Sequence, residues 1–201
     1  MNTKNILILL LSIATLLLLF LTLYFLNENI REKNSNRMLS SQIASTSVKI
    51  SSHNLNTVMT GVAAPDILST SPEGNENYIS ALLNGRAVLV YRYIQAGGCR
   101  PCYEAQIELI QEVFEDSPQS VVVLASYNSR SDFFISIRGQ GLGVPIYHIP
   151  LDAFDWQVER YNAPYFFVLH PNMRISNVFV PHEREPELSR QYLESIKRLL
   201  Q

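Results

Sequence analysis

The sequence predicts an α/β domain carried behind one N-terminal membrane-spanning helix, and three observations point there. The only two cysteines, Cys99 and Cys102, stand at Cys-x-x-Cys spacing between an apolar run of strand length and a segment of helical period. Downstream, apolar runs of four to eight residues continue to alternate with amphipathic segments. At the other end, Ile6 to Leu26 holds no charged side chain. At helical rise that stretch covers about 30 Å, the hydrocarbon thickness of a bilayer.

Four parts follow in order: a short tail over 1–5, a signal-anchor span over 6–26, a polar stalk over 27–60 and a domain over 61–201. A cleaved secretory signal would need a small-x-small site after the apolar run, and none follows. Lys4 precedes the span while Arg31, Lys33 and Arg37 follow it, so positive charge does not orient it. A short tail leading directly into a span is a common export arrangement. A single-pass protein of the cytoplasmic (inner) membrane with its C-terminal domain on the extracytoplasmic, periplasmic side is therefore expected. The stalk is rich in Ser, Asn and Thr, and as a flexible chain would span roughly 30 Å. With a net charge of −2, no nucleic-acid partner is expected.

Within the domain, Ala87 to Ile94 reads as a central strand covered on both faces. Gly97 and Gly98 free the backbone to turn, and a helix is predicted from about Pro101 to Glu115, with Tyr103, Ile107, Ile110 and Phe114 on its apolar side. Pro101 suits its first turn, where a missing N–H costs little. Ser120 to Ala125 is a second buried strand, and Ser129 to Arg138 a short helix ended by Gly139, Gly141 and Gly143. Val144 to Ile149 is a strand, followed by a helical turn from Asp152 to Tyr161. Tyr165 to Leu169 and Ile175 to Val180 are close enough to form a hairpin. Leu188, Tyr192, Ile196 and Leu199 mark a closing helix over Pro186 to Leu200.

Cys-x-x-Cys at the start of a helix is the layout of a dithiol switch. Two intervening residues let the sulfurs meet in a small ring, and the helix N-terminus favours a thiolate, the species that carries out exchange. Two other uses of the pair compete. A zinc site would draw two more ligands from His53, His148, His170 and His182, none of which completes a finger. A permanent structural disulfide would close too short a loop to stabilise the fold much. A one-cysteine peroxidase would often carry a hydroxyl residue three positions before its reactive thiol, where this chain has Ala96.

Gly61-Val62-Ala63-Ala64-Pro65-Asp66, Leu82-Leu83-Asn84-Gly85-Arg86, Cys99-Arg100-Pro101-Cys102 and Asn162-Ala163-Pro164 together carry a family likeness. Over about residues 61–201 the chain resembles the membrane-anchored, TlpA-like disulfide reductases of the alkyl hydroperoxide reductase/thiol-specific antioxidant superfamily. The resemblance implies a thioredoxin fold, a central mixed sheet flanked by helices. It also implies that Cys99 attacks, that Cys102 resolves, that the two form a redox disulfide, and that Pro164 is a cis-proline setting the Ala163 backbone beside them to pair with substrate. Arg100 would assist by lowering the Cys99 pKa. Where many thioredoxins bury an acid, six residues before the first cysteine, this chain has Tyr93. Where membrane-anchored relatives use a Glu three residues after the second cysteine, it has Ala105, which leaves Glu104 or water to take the Cys102 proton.

The expected activity is thiol-disulfide oxidoreduction on exported proteins with cysteine pairs, recharged by a membrane or extracytoplasmic redox partner, with no cofactor and no metal. Residues 6–26 would hold the domain at the lipid bilayer. Two alternatives from other classes are a copper metallochaperone built on the same fold and a non-enzymatic, membrane-tethered interaction module.

Overall fold

The computed structural model describes residues 20–22, 24, 54–95, 100–138, 143–161, 163–182 and 185–201. The chain divides into two compact units, Met1–Thr46 and Ser47–Gln201. In the first, residues 20–22 and 24 are helical, with Phe20, Leu21 and Tyr24 exposed. The rest of the span expected over 6–26 lies outside the described residues, and no helix among those described is long and apolar enough to cross a membrane.

The second unit is built on a sheet of seven strands. In chain order its elements are α1 (54–59), β1 (Leu68–Thr70), β2 (Glu76–Tyr78), α2 (Ile79–Leu82), β3 (Val88–Ile94), α3 (Arg100–Val113), β4 (Val121–Ser126), α4 (Arg130–Ile137), β5 (Ile146–His148), β6 (Tyr165–Leu169), β7 (Ile175–Phe179) and α5 (Pro186–Leu200). Short 3-10 turns cover Pro118–Ser120 and Gln157–Tyr161. Across the sheet the strand order is β2-β1-β5-β4-β3-β6-β7. β3, β4 and β5 run parallel, whereas β6 is antiparallel to β3 and closes a hairpin with β7. The sheet is therefore mixed, as the resemblance implied.

Strand alternation divides β3 between two cores. Leu89, Tyr91 and Tyr93 enter one, with Tyr103, Ile107 and Ile110 of α3, Phe133 of α4 and Leu193 of α5. Val88 and Val90 enter the other, with Ile79 of α2, Phe154, Trp156 and Val158. Burial on both faces is why β3 reads as an apolar run interrupted only by Arg92. The helix over Ser129–Arg138 is present as α4, with Ser129 as its N-cap, Oγ accepting from the Asp132 N–H at 3.1 Å.

The domain begins earlier than residue 61. Leu55 and Met59 on α1 are buried in the second core, and the Val178 N–H donates to Asn56 Oδ1 at 3.1 Å. Residues 54–59 are thus part of the domain rather than of a stalk, because two apolar side chains one helical turn apart can seal that face of β7. The β1–β2 hairpin was likewise not expected. Its turn depends on Gly74, whose φ of 90° suits a residue without Cβ.

Candidate functional site

The carboxyl ends of the parallel strands β3, β4 and β5 and the start of antiparallel β6 lie at one end of the sheet. Of the expected dithiol only Cys102 is among the described residues, on the helix α3 that follows β3. Cys99 lies outside the described residues, together with Gly97 and Gly98. Arg100 opens α3, with Pro101 and Cys102 in its first turn, as predicted. Ala163 and Pro164 reach the same end from β6. β3 and β6 pair Arg92 with Tyr165, so one further step along that ladder sets Pro164 level with Tyr93.

The cis geometry implied for Pro164 is not present. Ala163 and Pro164 are both described, and no peptide bond among the described residues is cis. The trans bond is the ground state of an X-Pro linkage by about 0.5–1 kcal/mol.

Tyr93 takes the place of the buried acid with an uncharged network. Its ring stacks on Tyr103 at 4.5 Å between centroids, and its hydroxyl lies 3.0 Å from that of Tyr127. Burial first, then the neighbouring Tyr127, drives its pKa far above the ordinary tyrosine range. Tyr93 therefore stays neutral and cannot serve as the base for Cys102. On α3, Glu104 is half-buried and Ala105 exposed.

On the opposite face of β3, Arg92 is fully buried. Its Nε donates to Glu159 Oε1 at 2.9 Å, and its Nη1 donates to the Tyr93 carbonyl at 3.0 Å and to Ser126 Oγ at 2.7 Å. Tyr165 Oη donates to Glu159 Oε1 at 2.7 Å. A buried guanidinium is tolerable only when paired and hydrogen-bonded, and this one is both. The sequence reading missed the cluster. The available signal was a lone arginine inside a run otherwise fit for a buried strand, which requires an acid from elsewhere in the chain.

Among the described residues, no three His, Cys, Asp or Glu side chains gather as a metal site. His148, at the carboxyl end of β5, is buried, and burial holds its pKa below the usual value. His170 lies at the far end of β6, its Nε2 2.8 Å from Ser176 Oγ. A strand of five residues separates that end from the α3 start by about 16 Å. His53 lies outside the described residues.

Burial also raises the pKa of Tyr91, Tyr165 and Tyr192. A folded-state pKa above the unfolded value means that the native chain holds its protons longer, so stability is complete below the unfolded value near 10.0 and declines as pH rises through the folded values. In an alkaline titration the last part of the tyrosinate absorbance, that of the buried tyrosines, should rise together with unfolding. Ionisation of all ten tyrosines near pH 10 with the fold intact would contradict this burial.

No family model matches the chain, and no curated protein matches it. Among solved structures, it is similar to a thiol:disulfide interchange protein from a Bacteroides species, with a TM-score of 0.53, 15% identity, and coverage of 70% of this chain and 90% of the other. It is also similar to the thioredoxin domain of a thiol-disulfide oxidoreductase from Bacteroides vulgatus, with a TM-score of 0.52, 14% identity, and coverage of 71% and 98%. At such identities the likeness is one of fold, and it agrees with the mixed sheet and its flanking helices. The domain has a thioredoxin-like fold.

Proposed function

We propose that this chain is a membrane-tethered thiol-disulfide oxidoreductase acting through Cys99 and Cys102. The observation that carries the reading is the junction of β3 and α3. Arg100, the first helical residue, directly follows Cys99, so the Cys-x-x-Cys motif lies at the positive end of a 14-residue helix rising from the central region of the sheet. A thioredoxin-like fold around that junction is the second support.

The Cys99 thiolate attacks one sulfur of a substrate disulfide. The substrate S–S bond breaks, a mixed disulfide forms, and the departing substrate sulfur leaves as thiolate and takes a proton. Cys102, once deprotonated, attacks Cys99 Sγ. The Cys99–Cys102 disulfide forms, and the second substrate thiolate is released. Two electrons pass from protein to substrate, and the reverse sequence oxidises a dithiol. Since Tyr93 stays neutral, the Cys102 proton goes to water or Glu104. Ala163 and Pro164 face the substrate chain. The span over 6–26 confines the activity to exported proteins near the membrane surface and to a redox partner there.

The purified full chain should cycle between dithiol and intramolecular disulfide, seen as a shift of two thiol-trapping labels by mass spectrometry, and should carry no stoichiometric metal. Copper or zinc at one ion per chain would instead favour the metal carrier. For the tether, Ser51→Cys in a Cys99→Ser/Cys102→Ser background should react with a membrane-impermeant thiol reagent in intact cells. Reaction only after lysis would place the domain in the cytoplasm.

A further inference from the structure

We infer that Arg92 and Glu159 are positioning residues for this exchange, clasping the chain on both sides of Ala163–Pro164 so that a peptide substrate meets a fixed backbone. The inference rests on the function proposed above and adds to it two residues that hold the Ala163–Pro164 backbone in place.

Glu159 precedes the Ala163–Pro164 pair on the 3-10 turn, and Tyr165 follows it directly as the first residue of β6. The two are joined, Tyr165 Oη donating to Glu159 Oε1 at 2.7 Å, so the intervening chain is closed by a side-chain bond. Arg92 anchors that closure to β3. It stands opposite Tyr165 in the ladder and reaches Glu159 Oε1 at 2.9 Å and Oε2 at 3.4 Å. Its Nη1 donates to the Tyr93 carbonyl and to Ser126 Oγ, and Ser126 Oγ lies 2.8 Å from both the Ile149 and the Pro150 carbonyl, either of which can accept its one hydrogen. One buried cation thereby ties the ends of β3 and β4, the segment after β5, the 3-10 turn and the start of β6. All of these meet at the end of the sheet where α3 begins. Apolar replacement of a buried ion pair often costs little stability, so stability alone is a weak account of this pair and the geometry it fixes is the fuller one. Recognition by strand pairing needs a backbone held in place, and this clasp supplies one.

The test compares wild type, Glu159→Gln and Tyr165→Phe in the full chain. The substrates are an extended peptide closed by one disulfide, and hydroxyethyl disulfide. Glu159→Gln should lower kcat/KM for the peptide about tenfold, through KM, the loss expected when a charge-assisted bond is weakened. Its rate on hydroxyethyl disulfide should stay within about twofold, because that substrate uses only the thiols. Tyr165→Phe, which removes one hydroxyl and keeps the ring, should show a smaller loss of the same kind and decides the matter if Glu159→Gln does not fold. Equal losses on both substrates, or none on either, in folded variants would overturn the inference. A wild-type chain that exchanges with neither substrate would overturn the proposed function, and this inference with it.

Discussion

Cells expressing Cys102→Ser are expected to accumulate covalent, reducible adducts of the chain with exported proteins that carry cysteine pairs, whereas Cys99→Ser should accumulate few. Without the second thiol, a mixed disulfide at Cys99 has no internal exit, and only external thiols can release it. Without the first, the remaining thiol is Cys102, the third residue of α3, which in the proposed exchange resolves rather than attacks. Nonreducing electrophoresis and mass spectrometry would identify the adducts, and their identities would reveal whether the protein reduces or oxidises. Equal absence of adducts in both variants, with the protein folded and expressed, would count against an exchange enzyme and favour a metal carrier or an interaction module.

Arg92→Met should destabilise the domain by about 3–5 kcal/mol, the cost of leaving one member of a buried ion pair alone. The lower part of that range is the better guide, because the Glu159 side chain keeps 10% of its surface in water. Even so, the loss is a large share of the about 5–15 kcal/mol that holds a typical domain folded. The double change Arg92→Met/Glu159→Leu should recover most of it by removing both charges. Urea unfolding followed through Trp156 is a direct reporter. It is the single tryptophan, it stacks on Phe154 at 4.2 Å, and Arg92 lies over the same Phe154 ring at 5.8 Å. An Arg92→Met chain as stable as wild type would show that the pair contributes nothing net.

The elements legible in the sequence were those whose burial leaves a strong period. β3, β4, β6 and β7 are apolar runs, and α3 and α5 carry an apolar stripe, so each was predicted within one or two residues of its observed bounds. β1 and β2 were not predicted, because Leu-Ser-Thr and Glu-Asn-Tyr carry no run. α1 was hidden in a polar stretch, its two buried side chains too few to mark a helix. For the site, adjacency in sequence revealed the cysteine pair and its helix. What sequence reasoning could not supply was pairing across distance. Nothing near Arg92 names Glu159 as its partner, and nothing near Tyr93 names Tyr127. The backbone before Pro164 was inferred from likeness alone, and on that point the likeness misled.

The ladder around β3 also bears on how the protein is made. β3 is flanked by β4, which follows soon in the chain, and by β6, which begins only at Tyr165. Synthesis at about 5–20 residues per second puts several seconds between the emergence of Cys99 and that of Leu169, the residue that pairs with Val88. Until then β3 lacks one neighbour and both cores are open, since each draws side chains from β6. Such non-local closure is slow as well as late. The two thiols therefore leave the ribosome well before the fold that governs them, and throughout that interval their oxidation state is set by their surroundings.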